Sequence, residues 1–299
     1  MPIVNGGQAK AEARIQKITP RDRGVHIPIK LNSCVSGPHM EAFVRENAHT
    51  HPMRVIQPNS RNGRRLALCG AGPSLTDNLP IRGIDDIWAC NSALPFLMSR
   101  GVPVTAGVGI DQSPALQSEW ASCPETDYLL ATSVDPSLVR FLQQRGRQVT
   151  FFHSFVGFAE DEFDVYCRLY PPTLMLGEGA TVLSRAVAAA LWMGYERVDV
   201  YGGDGAFGDD DVAYADGRTA EMAYGQQPLI LTGEIHGRVY RTRPDMLFGA
   251  VDLAKLVQRY PGRVRLIGDT LAVQLQPMPP DYLDRVMRRL APGELPPQE

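Results

Sequence analysis

Short apolar runs that end in glycine or in a polar residue recur along this chain and constrain its fold more than any other feature. Residues 66–69 (LALC) run directly into Gly70, and residues 85–90 (DDIWAC) run into Asn91. A short, continuous apolar run is typical of a parallel strand that is buried on both faces. The other candidate strands lie at residues 102–104, 108–111, 128–132, 149–152, 197–202 and 263–268.

Segments with helical periodicity lie between these runs. The clearest covers residues 181–193, is rich in alanine and ends at Gly194. Its apolar residues repeat at the spacing of one helix face. Other predicted helices cover residues 92–100, 136–145 and 246–260. Because strands that alternate with helices form parallel sheets, we predict an α/β fold with a Rossmann-like, mostly parallel sheet flanked by helices and an N-terminal extension.

Changes in composition divide the chain into three predicted regions. Residues 1–62 mix polar stretches with short apolar runs and form the N-terminal extension. Residues 63–276 contain the alternating strands and helices of the Rossmann-like domain. Residues 277–299 hold six prolines and form a C-terminal tail.

Charge and cysteine content exclude several classes of protein. The net charge of -3 gives no broad attraction to nucleic acid or to an anionic membrane. No window reaches the ~18 apolar residues of a membrane span, and the N-terminus has no apolar signal core. The five cysteines lack any C-x-x-C pair, which disfavours a disulfide framework or a zinc site. We therefore expect a cytoplasmic protein with no nucleic-acid or membrane partner. Assembly into a homo-oligomer remains open.

The turn at residues 70–75 (GAGPSL) is a candidate site for a phosphate group. Gly70 and Gly72 lack Cβ atoms and let the backbone approach a ligand closely. Ser74 can cap the helix predicted to follow or reach a phosphate, and the amino end of that helix directs N–H groups at an anion. Pro73 interrupts the dinucleotide-binding fingerprint, and no Gly-Lys-Ser/Thr of a P-loop follows. By itself the motif fits an ordinary strand-to-helix turn equally well.

Polar side chains follow three of the predicted strands. Asn91, Asp111 and Asp204 each stand at a strand end, and the carboxyl ends of parallel strands meet at one edge of the sheet. Asn91 can form hydrogen bonds with a nucleotide, and the two aspartates can hold Mg²⁺ or transfer protons. Each of the three alone would be read as a turn residue.

A second glycine-rich loop precedes the clearest helix. Gly177, Gly179 and Thr181 lead into that helix, whose amides could hold a second anionic group. His153 follows an apolar run and is the histidine best placed for acid–base catalysis. His236 is predicted in a turn between two strands, and the acidic run 209–211 is predicted to be a solvated loop.

The order of these motifs resembles the 6-hydroxymethylpterin diphosphokinase-like superfamily. This group includes archaeal-type pterin diphosphokinases and the motility-associated glycosyltransferases that modify flagellin, and some bacterial sialyltransferases have a similar glycine turn. The similar segments lie within residues 66–275 and are 68–75, 91–93, 109–111, 177–194 and 198–207. The resemblance implies nucleotide-dependent transfer with Mg²⁺ in a Rossmann-like transferase domain. It places nucleotide phosphates on residues 70–74 and the metal on Asp111 and Asp204.

Three functions remain open from the sequence. The first is a Mg²⁺-dependent transferase that moves pyrophosphate from ATP to an acceptor, as a 6-hydroxymethylpterin diphosphokinase does. The second is a glycosyltransferase that uses a nucleotide-sugar, of the sialyltransferase or flagellin-modifying type. The third is a non-catalytic nucleotide-binding protein, because no lysine stands near the glycine turn. A dehydrogenase is disfavoured because the turn lacks its third glycine. In the first two cases the partners are a small-molecule nucleotide and an acceptor.

Overall fold

A computed structural model of the chain describes residues 37–283 except 124–125, 156–160, 174, 177–178, 180 and 225–229. The strands are β1 Arg65–Cys69, β2 Asp86–Cys90, β3 Ala106–Gly109, β4 Asp127–Ala131, β5 Val149–Ser154, β6 Met175–Leu176, β7 Arg197–Tyr201, β8 Leu231–Ile235, β9 Arg238–Thr242 and β10 Val264–Leu266. The helices are α1 Gly37–Asn47, α2 Ser74–Asp77, α3 Ala93–Ser99, α4 Ala115–Trp120, α5 Pro136–Gln144, α6 Glu162–Leu169, α7 Val182–Trp192, α8 Ala220–Tyr224, α9 Pro244–Arg259 and α10 Leu271–Leu275.

Eight strands form one sheet in the order β10-β7-β1-β2-β3-β4-β5-β6, and every neighbouring pair is parallel. This confirms the α/β fold with a parallel sheet. The one departure among the predicted strands is residues 102–104, which lie in the connection before β3. Pro103 in that segment has no N–H for a strand ladder.

The chain changes direction once across the sheet. It runs outward from β1 to β6, and α7 then returns it to β7, on the other side of β1. The carboxyl ends of β1 and β7 therefore flank a topological switch point, which is where open α/β sheets bind ligands. The sheet order alone thus marks the position at which a site is expected.

Helix α7 packs against the centre of the sheet through small residues. Ala186, Val187 and Ala190 are fully buried, and the helix contacts both β1 and β7. Alanine side chains let a helix approach a sheet closely, and this packing fixes the amino end of α7 beside the switch point. Among the described residues, none of the helices combines the length and the apolar character needed to cross a bilayer.

Part of the segment before residue 63 is joined to the domain. The side chain of Asn47 donates to the carbonyl oxygens of Thr132 and Val134, at 2.9 Å each. Ile56 is buried, and its N–H donates to the carbonyl oxygen of Phe151 at 2.9 Å. The boundary at residue 62 stays a prediction, and most of the predicted C-terminal tail lies outside the described residues.

The buried carboxylate of Asp86 connects the amino ends of three central segments by hydrogen bonds. Asp86 is only 6% exposed. It accepts hydrogen bonds from Arg64 Nε at 2.7 Å and Nη2 at 2.8 Å, and from the Tyr195 hydroxyl at 2.7 Å. Burial by itself raises the pKa of Asp86, but the hydrogen bonds from Arg64 and Tyr195 outweigh it and lower the pKa. The ionised carboxylate therefore links the start of β2 to the segments that lead into β1 and β7.

The substitution Tyr195→Phe tests this link. It removes a hydrogen bond to a buried charge without changing the ring, so we expect the free energy of unfolding to fall by about 1.5–3 kcal/mol. Urea denaturation at pH 7 measures the change. Tyr260→Phe, at the end of α9, is the control and should stay within about 0.5 kcal/mol of wild type. Equal losses in the two variants would contradict the assignment.

Candidate functional site

A cleft opens at the switch point and has a volume of about 320 Å³. One wall consists of the turns that follow β1 and β7, residues 70–72 and 202–205, together with residues 181–183 at the amino end of α7. The opposite wall carries polar side chains from the ends of β2 and β3 and from α4: Asn91, Ser92, Asp111 and Glu119. The structure therefore brings Gly70, Gly72, Asn91, Asp111, Thr181 and Asp204 around one cleft.

The two glycine turns pack backbone against backbone. Gly70 N donates to the carbonyl oxygen of Tyr201 at 2.8 Å, and Gly72 N donates to that of Gly202 at 3.0 Å. A Cβ atom on Gly70 would lie 2.6 Å from the Gly202 carbonyl oxygen, and one on Gly72 would lie 1.9 Å from Asp204 Oδ2. These glycines are therefore required by the contact between the turns, whatever ligand binds.

The Asp204 carboxylate occupies the turn in which we had expected a phosphate. Its Oδ2 accepts a hydrogen bond from Ser74 N at 3.4 Å. Burial raises the pKa of Asp204 to about 6, even though the hydrogen bonds from Ser74 act in the opposite direction. The Ser74 N–H already donates to the Asp204 carboxylate, so the turn does not offer the anion site that its sequence suggests.

The helix after the turn also differs from the prediction. Helix α2 has only four residues and begins at Ser74, and the capping position before it is Pro73, which makes no side-chain cap. The prediction that Ser74 caps this helix is therefore wrong, and a helix of one turn has little dipole to attract an anion. Pro73 and Ser74 line a neighbouring cavity instead of the cleft.

The amino end of α7 is the better anion site in the cleft. Thr181 and Ser184 form a capping box, in which each side chain accepts a hydrogen bond from the other residue's backbone N–H at 3.2 Å. Val182 and Leu183, the first two residues of this 11-residue helix, line the cleft. The capping box already pairs the N–H groups of Thr181 and Ser184. The amides of Val182 and Leu183 precede the first intrahelical hydrogen bond and point toward the amino end of the helix.

Asn91 has two features of a ligand-binding residue. Its φ of 45° is in the left-handed region, which non-glycine residues rarely adopt. Its buried Oδ1 has no hydrogen-bond partner among the described residues. Strained backbone and unpaired buried acceptors persist where function requires them, and this oxygen can accept a hydrogen bond from an N–H or O–H group of a ligand.

The cleft is acidic. Three carboxylates line it, those of Asp111, Glu119 and Asp204, and its described lining includes no lysine, arginine or histidine. Asp111 Oδ1 accepts from Ser113 N at 2.8 Å, and Glu119 Oε2 accepts from Ser92 Oγ at 2.8 Å. A phosphate group in this cleft needs a cation beside it to offset these charges.

A metal held by Asp111 and Asp204 together does not fit the sheet. Asp111 follows β3 and Asp204 follows β7, and two strands lie between. Three strand spacings, roughly 14 Å, separate β3 from β7. Among the described residues, no group of three or more His, Cys, Asp or Glu side chains is placed to hold a metal ion. One carboxylate acting with ligand phosphates is an arrangement that Mg²⁺ commonly uses and that does fit.

Besides Pro73 and Ser74, two described residues that were predicted for the site, His153 and Gly179, do not line the cleft. His153 lies in β5, is 3% exposed, and packs against the rings of Tyr166 and Tyr170 at centroid distances of 4.5 and 4.8 Å. Burial lowers the pKa of His153 to about 3, so it is neutral at physiological pH and its position does not support a role as acid or base. Gly179 lines a separate small pocket, and Gly177 lies outside the described residues.

Sequence reasoning missed other residues of the cleft. Glu119 was not selected because helix α4 is short and was not predicted. Leu183 and Tyr214 reach the cleft only through the packing of α7 and the loop after β7. The capping-box pattern at residues 181–184 is the one local signal that could have drawn attention to Leu183.

Comparison with known proteins places the chain in a family. Residues 41–210 match the family described as 6-hydroxymethylpterin diphosphokinase MptE-like, and the chain belongs to this family. A diphosphokinase is a transferase, so the protein is a member of a transferase family. No curated protein matches the chain.

One solved structure shares the fold, and a second gives a weaker match. The MAf glycosyltransferase from Magnetospirillum magneticum AMB-1 superposes with a TM-score of 0.57 at 15% sequence identity. The match covers 85% of this chain and 42% of the glycosyltransferase, so the chain spans less than half of that protein. The sialyltransferase CstII from Campylobacter jejuni, solved with cytidine-5'-monophosphate, matches at 15% identity over 52% of this chain and 66% of its own, with a TM-score of 0.30.

The raised pKa of Asp204 predicts a pH-dependent cost to stability. A carboxyl group with a pKa of about 6 in the folded state and 3.8 as its reference value holds its proton more tightly when folded. Stability is therefore lost as the pH rises from about 4 to 6, by about 3 kcal/mol at most. We expect Asp204→Asn to be more stable than wild type at pH 7 and to lose this advantage at pH 4. Urea denaturation across this range measures the difference, and a difference independent of pH would refute the prediction.

The close contact between the two glycine turns predicts that a methyl group on Gly72 lowers the stability of the protein. In Gly72→Ala the new Cβ would lie 2.7 Å from the Gly202 carbonyl oxygen, a backbone atom that cannot swing away. We expect the free energy of unfolding to fall by about 2 kcal/mol or more. Gly233→Ala is the control, because a Cβ at that position meets nothing within 4 Å. If thermal denaturation finds the two variants equally stable, the turns do not pack as described.

Proposed function

We propose that the protein is a nucleotide-dependent transferase that moves pyrophosphate from ATP to the hydroxyl of an acceptor of the hydroxymethylpterin type. The observation that carries the proposal is the cleft at the switch point between β1 and β7. Membership of the MptE-like family supports the same reaction class. The cleft volume of about 320 Å³ lies near the lower end for small-molecule sites.

The nucleotide is proposed to lie along the cleft from α7 to Asn91. Its phosphates would bind near Thr181, Val182 and Leu183, where the first amides of α7 favour an anion. The unpaired Oδ1 of Asn91 would accept a hydrogen bond from an amino or hydroxyl group of the nucleoside. The two contacts come from opposite walls and would fix the orientation of the nucleotide.

We include Mg²⁺ in the proposal because the cleft is negatively charged. The described residues that line the cleft include three carboxylates and no basic side chain. The cleft alone would therefore repel a triphosphate. Asp111, together with the phosphates, would hold the ion. When bound, Mg²⁺ would offset the negative charge that develops on the transferred group.

Asp204 is proposed as the general base. The acceptor oxygen attacks the β-phosphorus of ATP, forms a new O–P bond and breaks the bond to the α,β-bridging oxygen, so that AMP leaves. The hydroxyl proton passes to the Asp204 carboxylate. A pKa of about 6 leaves this group largely ionised at neutral pH and still able to hold a proton. Asp204 lies beside the amino end of α2, at the edge of the cleft.

The expected activity is AMP release from ATP in the presence of Mg²⁺ and 6-hydroxymethylpterin, measured by chromatography. Asp204→Asn should lower kcat by about 10²–10⁴ while the nucleotide Kd changes little, because the amide cannot accept the proton. In the wild type, kcat should rise with pH through about 6. Asp127→Asn, at the amino end of β4, is the matched control for a neutralised aspartate.

Other results would identify the alternatives. Absence of AMP together with release of UDP or CMP from a nucleotide-sugar would replace pyrophosphate transfer with sugar transfer. Nucleotide binding without turnover of any donor would indicate a non-catalytic member of the family. Full activity in Asp204→Asn would remove that residue from the mechanism and leave the assignment of the cleft in place.

A further inference from the structure

Helix α4 holds the turn that follows β2 by two hydrogen bonds. Glu119 Oε2 accepts a hydrogen bond from Ser92 Oγ at 2.8 Å. The next residue of the helix, Trp120, donates from Nε1 to the Asn91 carbonyl oxygen at 3.1 Å. Two successive residues at the end of α4 therefore hold two successive residues of a turn that lines the cleft.

The Ser92 side chain is not used in the way its position suggests. Ser92 stands at the capping position before α3, where a serine usually accepts a hydrogen bond from the helix backbone. Among the described residues it caps no amide of α3, and its hydroxyl donates to Glu119 instead. A hydrogen bond to a carboxylate is stronger than one between neutral groups, so this contact holds the turn against α4.

Gly109, at the end of β3, makes room for the Trp120 ring. Trp120 is 1% exposed, so the packing around it fixes the position of its ring. A Cβ atom on Gly109 would lie 3.1 Å from Trp120 Cη2 and 3.0 Å from Leu116 Cδ2. A side chain at this position would therefore press on two residues of α4. The glycine lets the indole lie where its N–H reaches Asn91.

The backbone conformation of Asn91 needs such support. Its φ of 45° lies in the left-handed region, which is costly for a residue that has a side chain. The two hydrogen bonds from α4 act on the Asn91 carbonyl oxygen and on the residue after it. A rotation of the Asn91 backbone would move both of these groups, so the bonds favour the left-handed conformation over relaxed ones.

We propose that Glu119 and Trp120 are positioning residues for nucleotide binding, because they hold Asn91 in the conformation that presents its side chain to the cleft. Ser92 takes part as the donor to Glu119. The role of these residues rests on the function proposed above, in which Asn91 contacts the nucleoside. Neither Glu119 nor Trp120 needs to touch the reacting atoms, since each acts through Asn91.

A double-mutant cycle on nucleotide binding tests this role. The probe is α,β-methylene-ATP with Mg²⁺, in which a CH₂ group replaces the bridging oxygen of the bond that the proposed reaction breaks, and calorimetry with the full chain gives its Kd. Ser92→Ala removes the donor to Glu119 and should weaken binding about fivefold. Asn91→Gly removes the side chain but keeps a residue that adopts positive φ without strain, and it should weaken binding about tenfold. In the Asn91→Gly background, Ser92→Ala should change the Kd less than about twofold, because the side chain that it positions is gone.

Trp120→Phe tests the second hydrogen bond in the same cycle. It removes the indole N–H together with part of a buried ring, so it also lowers stability. Its effect on the Kd should again disappear in the Asn91→Gly background. An effect of equal size in both backgrounds would show lost packing alone and would exclude Trp120 from the role.

Two further variants separate positioning from a general loss of structure. Ser92→Thr should recover most of the affinity, because threonine keeps the hydroxyl. Ser99→Ala is the matched control, since the Ser99 hydroxyl donates to the Phe96 carbonyl oxygen at 2.7 Å and lies outside the cleft. It should bind the probe as wild type does. A loss of affinity in Ser99→Ala equal to that in Ser92→Ala would overturn the proposal.

The remaining results distinguish this role from the proposed reaction. The role is wrong if Ser92→Ala binds as wild type does, or if it weakens binding equally with and without the Asn91 side chain, and AMP release in the same protein leaves the reaction standing. The expected coupling without AMP release from ATP keeps the role and refutes the reaction. If only CMP or UDP binds, with the same coupling, the role stands and ATP is not the donor. If none of the three nucleotides binds, both the role and the reaction are wrong.

Discussion

The close approach of the two glycine turns at the switch point is the constraint on which the rest of the site depends. The hydrogen bonds from Gly70 to Tyr201 and from Gly72 to Gly202 leave no room for a side chain at either glycine. This contact sets the Asp204 carboxylate against the turn and buries it. The raised pKa of Asp204 follows from that burial.

The burial of Asp204 reduces stability, and the proposed reaction would use the carboxylate whose pKa this burial raises. Burying a carboxylate with no basic partner costs free energy, and a fold does not need such a group for packing. Asp86 shows the contrast, because it is also buried but receives hydrogen bonds from Arg64 and Tyr195, and its pKa is lowered. The same type of side chain thus stabilises the fold at the amino end of the sheet and is proposed to act as a base at its carboxyl end. The difference is the charge that each one faces.

Much of the fold and part of the site could be predicted because their signals are local. Apolar runs such as residues 66–69 identify buried strands, and the residue that ends each run must lie at the same edge of a parallel sheet. That reasoning placed Asn91, Asp111 and Asp204 correctly around one cleft. It failed for His153, because a run that continues to Ser154 buries the histidine within β5. It also failed for Ser74, whose short helix could not be judged from the sequence.

The sequence by itself determined most strands of the sheet, the longer central helices and the glycines that the turns require, because these depend on apolar periodicity and on backbone freedom within a few residues. The tertiary structure decided which groups meet. Asp204 and Ser74 are 130 residues apart in the chain, and the pairing of β1 with β7 brings them together. No local pattern could reveal that a carboxylate fills the turn expected to bind phosphate, because burial and charge at that point come from segments distant in sequence.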